Sequence, residues 1–233
     1  MIQSLPTRDT WAEAAADRLA GALAEALTAN GRALFAGSGG STPSPIYARL
    51  AQADLDWTKV TATLVDERYV PEASPASNAA LLKQTLLTGP AATVRFIPLY
   101  SPAVTVDRAA ALASQALAAE GRPLDAVLLG MGEDGHICSM FPGSPTLTTL
   151  LTPGLKPAVY GVPAGRDGAA PPPPRLTLNL PWLVSARRVV LALTGTKKRA
   201  VFEREAASDP DVSPIAALIA ANAPLEVFWT EAD

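Results

Sequence analysis

Short runs of apolar residues alternate along the chain with longer segments of mixed polarity. The apolar runs are bounded by glycine, proline or polar residues, and they lack the polar and apolar alternation of a strand with one wet face. They therefore predict strands that are buried on both faces. Because the mixed segments predict helices, strand and helix take turns. This order is typical of an α/β fold, a mostly parallel sheet with helices on both faces.

The predicted strands lie at residues 33–36, 60–65, 94–97, 124–129, 158–162, 189–193 and 225–229. The predicted helices are an alanine-rich first helix and the segments near 45–53, 77–87, 105–119, 197–207 and 214–221. Thr10 with Glu13 fits a capping box at the start of the first helix, and Asn30-Gly31 fits its end.

The chain has one low-complexity stretch, PAGRDGAAPPPPR at residues 163–175. It is short and lies between predicted strands, so it predicts a mobile surface loop near the site and not a linker between domains. No repeat of fixed period is present. We therefore expect residues 1–233 to form a single domain.

Composition limits the classes of partner and compartment. The single cysteine, Cys138, excludes an internal disulfide framework and favours a reducing compartment. The amino terminus lacks a signal-peptide pattern, and no apolar stretch approaches the roughly 20 residues that span a bilayer. We therefore expect a cytoplasmic protein without a membrane partner. The net charge of −3 supplies no basic field for nucleic acid.

The only histidine, His136, lies in the glycine-rich segment GMGEDGHICSMFPG directly after the predicted strand 124–129. Open α/β sheets place their ligands at the carboxyl ends of strands, and imidazole can take and return a proton near neutral pH. Asp134 is expected to orient the ring and favour its charged form, while Gly132 and Gly135 let the backbone bend around a ligand. The alternative is a structural histidine that caps a loop.

The segment FAGSGGSTP at residues 35–43 predicts a phosphate-binding loop. Its small residues let backbone N–H groups approach an anion just before a helix. No lysine follows the glycines as in a Walker loop, and the dinucleotide fingerprint is absent. An ordinary strand-to-helix turn is the alternative. The candidate binding residues are Ser38, Gly39, Gly40, Ser41 and Thr42.

Two further segments place charge after apolar runs. VDERYVP at residues 65–71 carries Asp66 and Arg68, whose guanidinium matches a phosphate, and Asn78 begins the next helix. TGTKKR at residues 194–199 offers Lys197 or Lys198 at the sheet edge. A solvated surface turn is the alternative for both segments.

Cys138 is a poor candidate for a nucleophile. Side chains two residues apart diverge in a helix and lie several ångströms apart in a strand, so a direct hydrogen bond to His136 is hard to form. One histidine and one cysteine also cannot make a conventional zinc site, so no metal is expected.

Together, SGGSTP, VDERYVP with a following Ser-Asn, GMGEDGHICSMFPG, and LTGTKK preceded by PPPPRLTL resemble the 6-phosphogluconolactonase family from about residue 10 to Trp229. The resemblance implies a three-layer Rossmann-like sandwich shared with glucosamine-6-phosphate deaminase. It implies hydrolysis of a sugar-phosphate lactone in the pentose phosphate pathway by a monomer that needs no cofactor. Cys138-Ser139-Met140 departs from the Ala-Ser-Leu more usual in this family.

The resemblance also assigns roles. His136 becomes the general base, and Lys198 matches the family spacing better than Lys197. A deaminase-type isomerase is the alternative, but Phe141 stands where the deaminase has a glutamate. A non-catalytic sugar-phosphate sensor would carry an added DNA-binding segment, which the roughly 30 residues before the first strand do not supply. The implied catalytic residues are His136 and Asp134, and the implied substrate-binding residues are Ser38, Gly39, Gly40, Ser41, Thr42, Asp66, Arg68, Asn78, Gly132, Gly135, Arg175 and Lys198.

Overall fold

A parallel sheet forms the centre of the protein. The computed structural model describes residues 2–102, 105–165 and 170–232, and within these ranges seven strands form this sheet, each paired in parallel with its neighbours. From one edge to the other, numbered along the chain, they are Ile2–Leu5 (β1), Leu225–Thr230 (β10), Val189–Thr194 (β9), Ala126–Leu129 (β6), Ala33–Gly37 (β2), Val60–Leu64 (β3) and Arg95–Phe96 (β5).

Helices surround this sheet, which confirms the predicted α/β fold. They are Arg8–Asn30 (α1), Ser44–Leu50 (α2), Asn78–Thr85 (α3), Val106–Ala118 (α4), Leu147–Leu151 (α5), Leu180–Val184 (α6), Gly195–Ala206 (α7) and Pro214–Ala220 (α8). Every residue of β2, β3, β6 and β9 is buried, as the apolar runs of β2, β6 and β9 predict. In β3 the buried residues include Thr61 and Thr63. In the described part of the chain, no helix combines the length and apolar character that crossing a membrane requires.

A small antiparallel sheet adjoins the carboxyl end of β3. Its strands, in order, are Asp66–Arg68 (β4), Arg175–Leu178 (β8) and Val159–Val162 (β7). The prediction was wrong here in three respects: 66–68 is a strand and not a loop, 158–162 does not belong to the main sheet, and Arg175–Leu178 is a strand that was not predicted. In the main sheet, β1 was not predicted either. A three-residue strand of charged residues carries no apolar signal, so sequence patterns miss it.

The first helix starts earlier than predicted. The capping residue is Thr7, whose hydroxyl accepts a hydrogen bond from the Thr10 backbone N–H at 3.1 Å. Thr10 returns the bond, because the Thr7 N–H donates to its Oγ1 at 3.2 Å. Thr10 thus plays the part that the box usually gives to Glu or Gln, and the prediction was wrong by three positions. The helix ends at Gly31 in the left-handed conformation, with φ 68°, as predicted.

The amino end of β6 lies away from the carboxyl edge of the sheet. At this end, the buried Asp125 accepts hydrogen bonds from Leu34 N and from the Arg122 guanidinium, both at 2.7 Å.

The predicted mobile loop at 163–175 includes residues 166–169, which lie outside the described residues. On either side of them, Ala164 and Ala170 form an isolated bridge.

Candidate active site

A cavity of about 250 Å³ opens where the chain leaves the carboxyl ends of β2, β3, β6 and β9. The parallel pairing brings these four ends to one edge of the sheet, as expected for an open α/β fold. The residues that line the cavity are Ser38, Gly39, Gly40, Ser41, Thr42, Asp66, Arg68, Asn78, Gly130, Met131, Gly132, His136, Cys138, Arg175 and Lys198.

Most of the sequence candidates therefore meet in one place, and two lie just outside the lining. Asp134 contacts His136 from behind, and Gly135 faces α7. Sequence reasoning did not select Gly130, Met131 or Cys138 as binding residues. These three residues could have been found only from their position in the glycine-rich segment that carries His136. No chemical property of the individual side chains marks them as binding residues.

Asp134 orients His136. One carboxylate oxygen, Oδ1, accepts the backbone N–H of His136 at 3.2 Å and lies 2.5 Å from ring atom Nδ1. Because a carboxylate can only accept, Nδ1 carries a hydrogen and the lone pair of a neutral ring lies on Nε2. The hydrogen bond from His136 lowers the pKa of Asp134, which favours its ionised form. The pair can therefore present a general base to the cavity.

Two neighbours fix the plane of the imidazole. The Phe141 ring lies against it, with centroids 4.5 Å apart and an interplanar angle of 40°. On another side, a Cβ at Gly132 would come within 2.2 Å of His136 Nδ1, so a glycine is required there. The Gly132 N–H also donates to the His136 carbonyl at 2.9 Å, which closes the loop on itself.

Cys138 lines the cavity, in surroundings that disfavour a reactive thiolate. Its side chain is buried, and burial raises the pKa of the thiol well above its ordinary value, with Asp66 adding to the effect. The reactive thiolate is therefore disfavoured. In the residues that the structure describes, no hydrogen bond joins Cys138 to His136, in agreement with the argument from their spacing.

The glycine-rich loop after β2 interlocks with the start of α3. A Cβ at Gly39 would lie 1.8 Å from Asn78 Oδ1, so the absence of a side chain there lets the two segments touch. Gly40 has φ +88°, a conformation that favours glycine. The Tyr47 hydroxyl donates to the Ser38 carbonyl at 2.7 Å and holds the loop from below.

Two arginines face each other across the small sheet. Arg68 of β4 is directly opposite Arg175 of β8 in the antiparallel register, and both line the cavity. Burial, and next the charge of Arg68, lower the pKa of Arg175. Like charges directly opposite each other destabilise a strand pair, so this arrangement favours an anion in the cavity.

The two lysines at the start of α7 differ in their surroundings. Lys197 Nζ lies 2.6 Å from Glu133 Oε2, and both side chains are mostly exposed. This ion pair lowers the pKa of Glu133. Lys198 instead lines the cavity and adds a third cation to the two arginines.

Three cavity residues carry buried polar atoms that have no hydrogen-bond partner among the described residues. These atoms are Ser38 Oγ, Arg68 Nε and Asn78 Oδ1. Asn78 Nδ2 is used, because it donates to the Asp66 carbonyl at 2.9 Å. Unsatisfied buried polar atoms are unusual in folded proteins, and their concentration here indicates a polar ligand.

Asp66 links β4 to the histidine loop. Its Oδ2 accepts a hydrogen bond from Ser139 Oγ at 2.6 Å, and Ser139 N donates to Thr177 Oγ1 at 3.1 Å. The sequence alone assigns Ser139 no role in the site. Among the described residues, no group of three or more His, Cys, Asp or Glu side chains is arranged to hold a metal ion.

Comparison with known proteins identifies the family of this chain. A family model described as glucosamine-6-phosphate isomerases/6-phosphogluconolactonase matches residues 6–229. The 6-phosphogluconolactonase of Rhizobium meliloti (strain 1021) is 44% identical over 220 residues, covering 94% of this chain and 93% of the relative. That of Caulobacter vibrioides is 38% identical over 231 residues, covering 99% and 97%.

Solved structures give the same result. The chain is similar to a crystal structure of a 6-phosphogluconolactonase from Shewanella baltica OS155, with a TM-score of 0.89, 33% identity and coverage of 99% of this chain and 97% of the other. A monomeric glucosamine-6-phosphate deaminase has a TM-score of 0.75 at 19% identity, covering 98% and 96%. This second similarity concerns the fold alone.

Proposed function

The chain belongs to the family of glucosamine-6-phosphate isomerases and 6-phosphogluconolactonases, and we propose that it is a lactonase with His136 as its general base. It hydrolyses 6-phospho-D-glucono-1,5-lactone to 6-phospho-D-gluconate, a step of the oxidative pentose phosphate pathway. One observation supports the base in particular: the Asp134-bound imidazole and three cations line the same cavity.

The reaction needs little from the protein, because a lactone carbonyl is already electrophilic. His136 Nε2 takes a proton from water as the water oxygen bonds to C1. The tetrahedral intermediate collapses when the bond between C1 and the ring oxygen breaks, and the imidazolium returns the proton to that oxygen. The products are a carboxyl group and a free hydroxyl. No cofactor, metal or covalent intermediate takes part in this scheme.

We assign the 6-phosphate to Arg68, Arg175, Lys198 and the loop from Ser38 to Thr42. A dianion between the two arginines removes their repulsion across the small sheet, and the phosphate binds far from the reacting atom. The energy of this remote contact positions C1 beside His136.

The rest of the cavity suits the sugar. Asn78 Oδ1 and the Asp66 carboxylate are acceptors for sugar hydroxyl groups, and Ser38 Oγ can donate or accept. Gly132 and Gly135 shape the loop that carries the base. The unpartnered buried atoms would then all be satisfied by one polyhydroxylated phosphate.

A deaminase-type isomerase is the second candidate, supported by the shared fold. The side chain that packs on His136 is Phe141, an apolar ring that can neither accept nor return a proton. This contact favours the lactonase. The non-catalytic sensor ranks third, because the cavity holds an oriented base.

One assay separates these candidates. Hydrolysis of freshly prepared 6-phosphogluconolactone is followed above its spontaneous rate, beside ammonia release from glucosamine 6-phosphate. We expect only the first reaction to be accelerated. Ammonia release alone would establish the isomerase, and binding of both compounds without turnover would establish the sensor.

We further propose that residues 1–233 form one domain and that the protein acts as a cytoplasmic monomer. The buried apolar residues of both sheets form one continuous cluster, which supports the single domain. The lone thiol, Cys138, suits a reducing compartment. Light scattering coupled to size-exclusion chromatography measures the oligomeric state, and a mass of twice 24.1 kDa would contradict the monomer.

A further inference from the structure

Glu67 lies between two cavity residues but faces away from the cavity. Side chains of a strand alternate between its two faces, so Asp66 and Arg68 of β4 line the cavity while Glu67 points to the other side. There its side chain is completely buried. A fully buried carboxyl group is rare unless it is bound to several partners.

Four hydrogen-bond donors surround this carboxylate. Oε1 accepts from Arg68 N at 2.7 Å and from Asn78 N at 2.8 Å. Oε2 accepts from Ala79 N at 2.8 Å and from Ser77 Oγ at 3.1 Å. Because every partner is a donor, the ionised form fits this environment. Burial raises the pKa of Glu67, and these same hydrogen bonds oppose the rise.

The carboxylate joins two elements that each supply a cavity residue. Arg68 belongs to β4, and Asn78 is the first residue of α3. The N–H groups at a helix start have no partner within the helix, and a negative charge there is favourable. Glu67 therefore fixes the start of α3 against β4.

The side chains of Arg68 and Asn78 both depend on this link between β4 and α3. The guanidinium of Arg68 donates to the Ala76 carbonyl at 2.7 Å, in the turn that leads into α3. Asn78 in turn donates to the Asp66 carbonyl and keeps Oδ1 in the cavity. If β4 and the start of α3 separated, both residues would lose their positions.

We propose that Glu67 is a positioning residue for the substrate, which holds Arg68 and Asn78 in their binding geometry without contacting the ligand. This inference rests on the proposed function, because it assigns these two residues to sugar-phosphate binding. Glu67 acts on substrate binding, since the base and its partner Asp134 lie on a different loop.

The test compares Glu67→Gln with the parent. Glutamine keeps the volume but turns one acceptor into an NH₂ group that faces donors, so half of the hydrogen bonds are lost. We expect KM for 6-phosphogluconolactone and the Kd of 6-phosphogluconate to rise about 10-fold or more, the scale of one or two lost charged hydrogen bonds. The value of kcat should fall no more than about threefold, because the base is untouched.

Asp125→Asn is the matched control. Asp125 is also completely buried and also accepts a backbone N–H and other donors, but it lies at the opposite end of β6. Its substitution should lower the melting temperature without changing KM or Kd. A purely structural role for Glu67 predicts the same pattern for Glu67→Gln: lower stability with unchanged KM and Kd. That result would overturn the proposal.

A second variant covers the case in which Glu67→Gln does not fold. Glu67→Asp keeps the charge but is one methylene shorter, so it cannot reach Arg68 N and the start of α3 together. Its KM and Kd should rise less than those of Glu67→Gln, and unchanged values in folded Glu67→Asp would refute the positioning role.

The two proposals also fail separately. If the parent does not hydrolyse the lactone, the proposed function is wrong. Glu67 is then judged on the Kd of 6-phosphogluconate alone, measured by calorimetry in the parent and the three variants.

Discussion

The two ring nitrogens of His136 differ because one carboxylate oxygen holds only one of them. We expect His136→Ala to lower kcat by roughly 100-fold or more, the usual loss when a general base is removed. The Kd of 6-phosphogluconate should stay nearly unchanged, since the proposed phosphate contacts lie elsewhere. Single-turnover kinetics and calorimetry measure the two quantities. Near-normal turnover in the folded variant would contradict the mechanism.

The pH dependence follows from Asp134 and Cys138. The lowered pKa of Asp134 keeps that carboxylate ionised even at pH values below the ordinary range of a carboxyl group, and the raised pKa of Cys138 keeps the thiol protonated. Neither of these two groups then changes charge between about pH 5 and 8. Protonation of the base in the proposed mechanism should therefore lower kcat/KM towards acid. A profile of kcat/KM in this range should show a slope of one on its acid side. A slope of two would require a second ionising group.

The contribution of the Asp134 hydrogen bond to folding stability depends on pH in the opposite direction from that of a group whose pKa is raised. Its folded pKa is lowered, so the hydrogen bond stabilises the fold above the unfolded pKa of a carboxyl group and is lost as the pH falls through the folded pKa. The Asp134 side chain is about half exposed, which makes this contribution small beside its effect on the orientation of His136.

Gly132 offers a prediction with a control from the same chain. Gly132→Ala places a methyl group against the imidazole ring, so kcat should fall at least about 10-fold while the Kd of 6-phosphogluconate changes little. Gly154→Ala adds the same methyl group where, apart from its chain neighbours, no atom of the described residues lies within 4 Å. Steady-state kinetics of both variants should show a loss in the first only. Equal activities would show that the ring has room to move.

At the scale of elements, the pair of β4 and β8 creates the cation site. Arg68→Ala and Arg175→Ala should each weaken 6-phosphogluconate binding by about 1.5 to 3 kcal/mol, the range for hydrogen bonds to charged groups. Because both arginines contact one anion in this scheme, the effects should not add in the double variant. Calorimetric titration of the parent, the two single variants and the double variant completes a double-mutant cycle. Additive effects would place the two cations in separate sites.

Substrate selectivity provides the companion measurement. The ratio of kcat/KM for the phosphorylated lactone to that for glucono-1,5-lactone should fall in Arg68→Ala and Arg175→Ala. An unchanged ratio would mean that these arginines act on the fold or the reaction centre, and the phosphate assignment would be withdrawn.

The same element shows where sequence patterns fail. The long apolar runs of β2, β6 and β9 predict their strands because burial on both faces leaves no polar positions. In β4, three charged residues form a strand only because β8 pairs with it and Glu67 binds the start of α3. Both partners are distant in sequence, so no local pattern contains this information. For that reason the sequence alone assigns Glu67 no role of its own.

At the scale of the whole molecule, a net charge of −3 coexists with three cations in one cavity. The net charge gives no indication of this local concentration of positive charge. The order of the motifs along a parallel sheet does indicate it. Because salt screens charges over about 10 Å at 0.1 M, KM for the phosphorylated lactone should rise about threefold between low and high salt. KM for the unphosphorylated lactone should stay unchanged over the same range of salt. Steady-state kinetics over a sodium chloride series test this, and parallel rises would point to a general effect on the protein.

The contact between Gly39 and Asn78 also has an evolutionary consequence. Any side chain at position 39 would occupy the space of the asparagine amide, so position 39 cannot change while Asn78 is kept. A lineage that acquires alanine at 39 must already carry a smaller residue at 78, and it then gives up an acceptor for its ligand. Among descendants of this sequence, position 39 should therefore stay glycine wherever position 78 stays asparagine, although the two positions lie on separate elements of the chain.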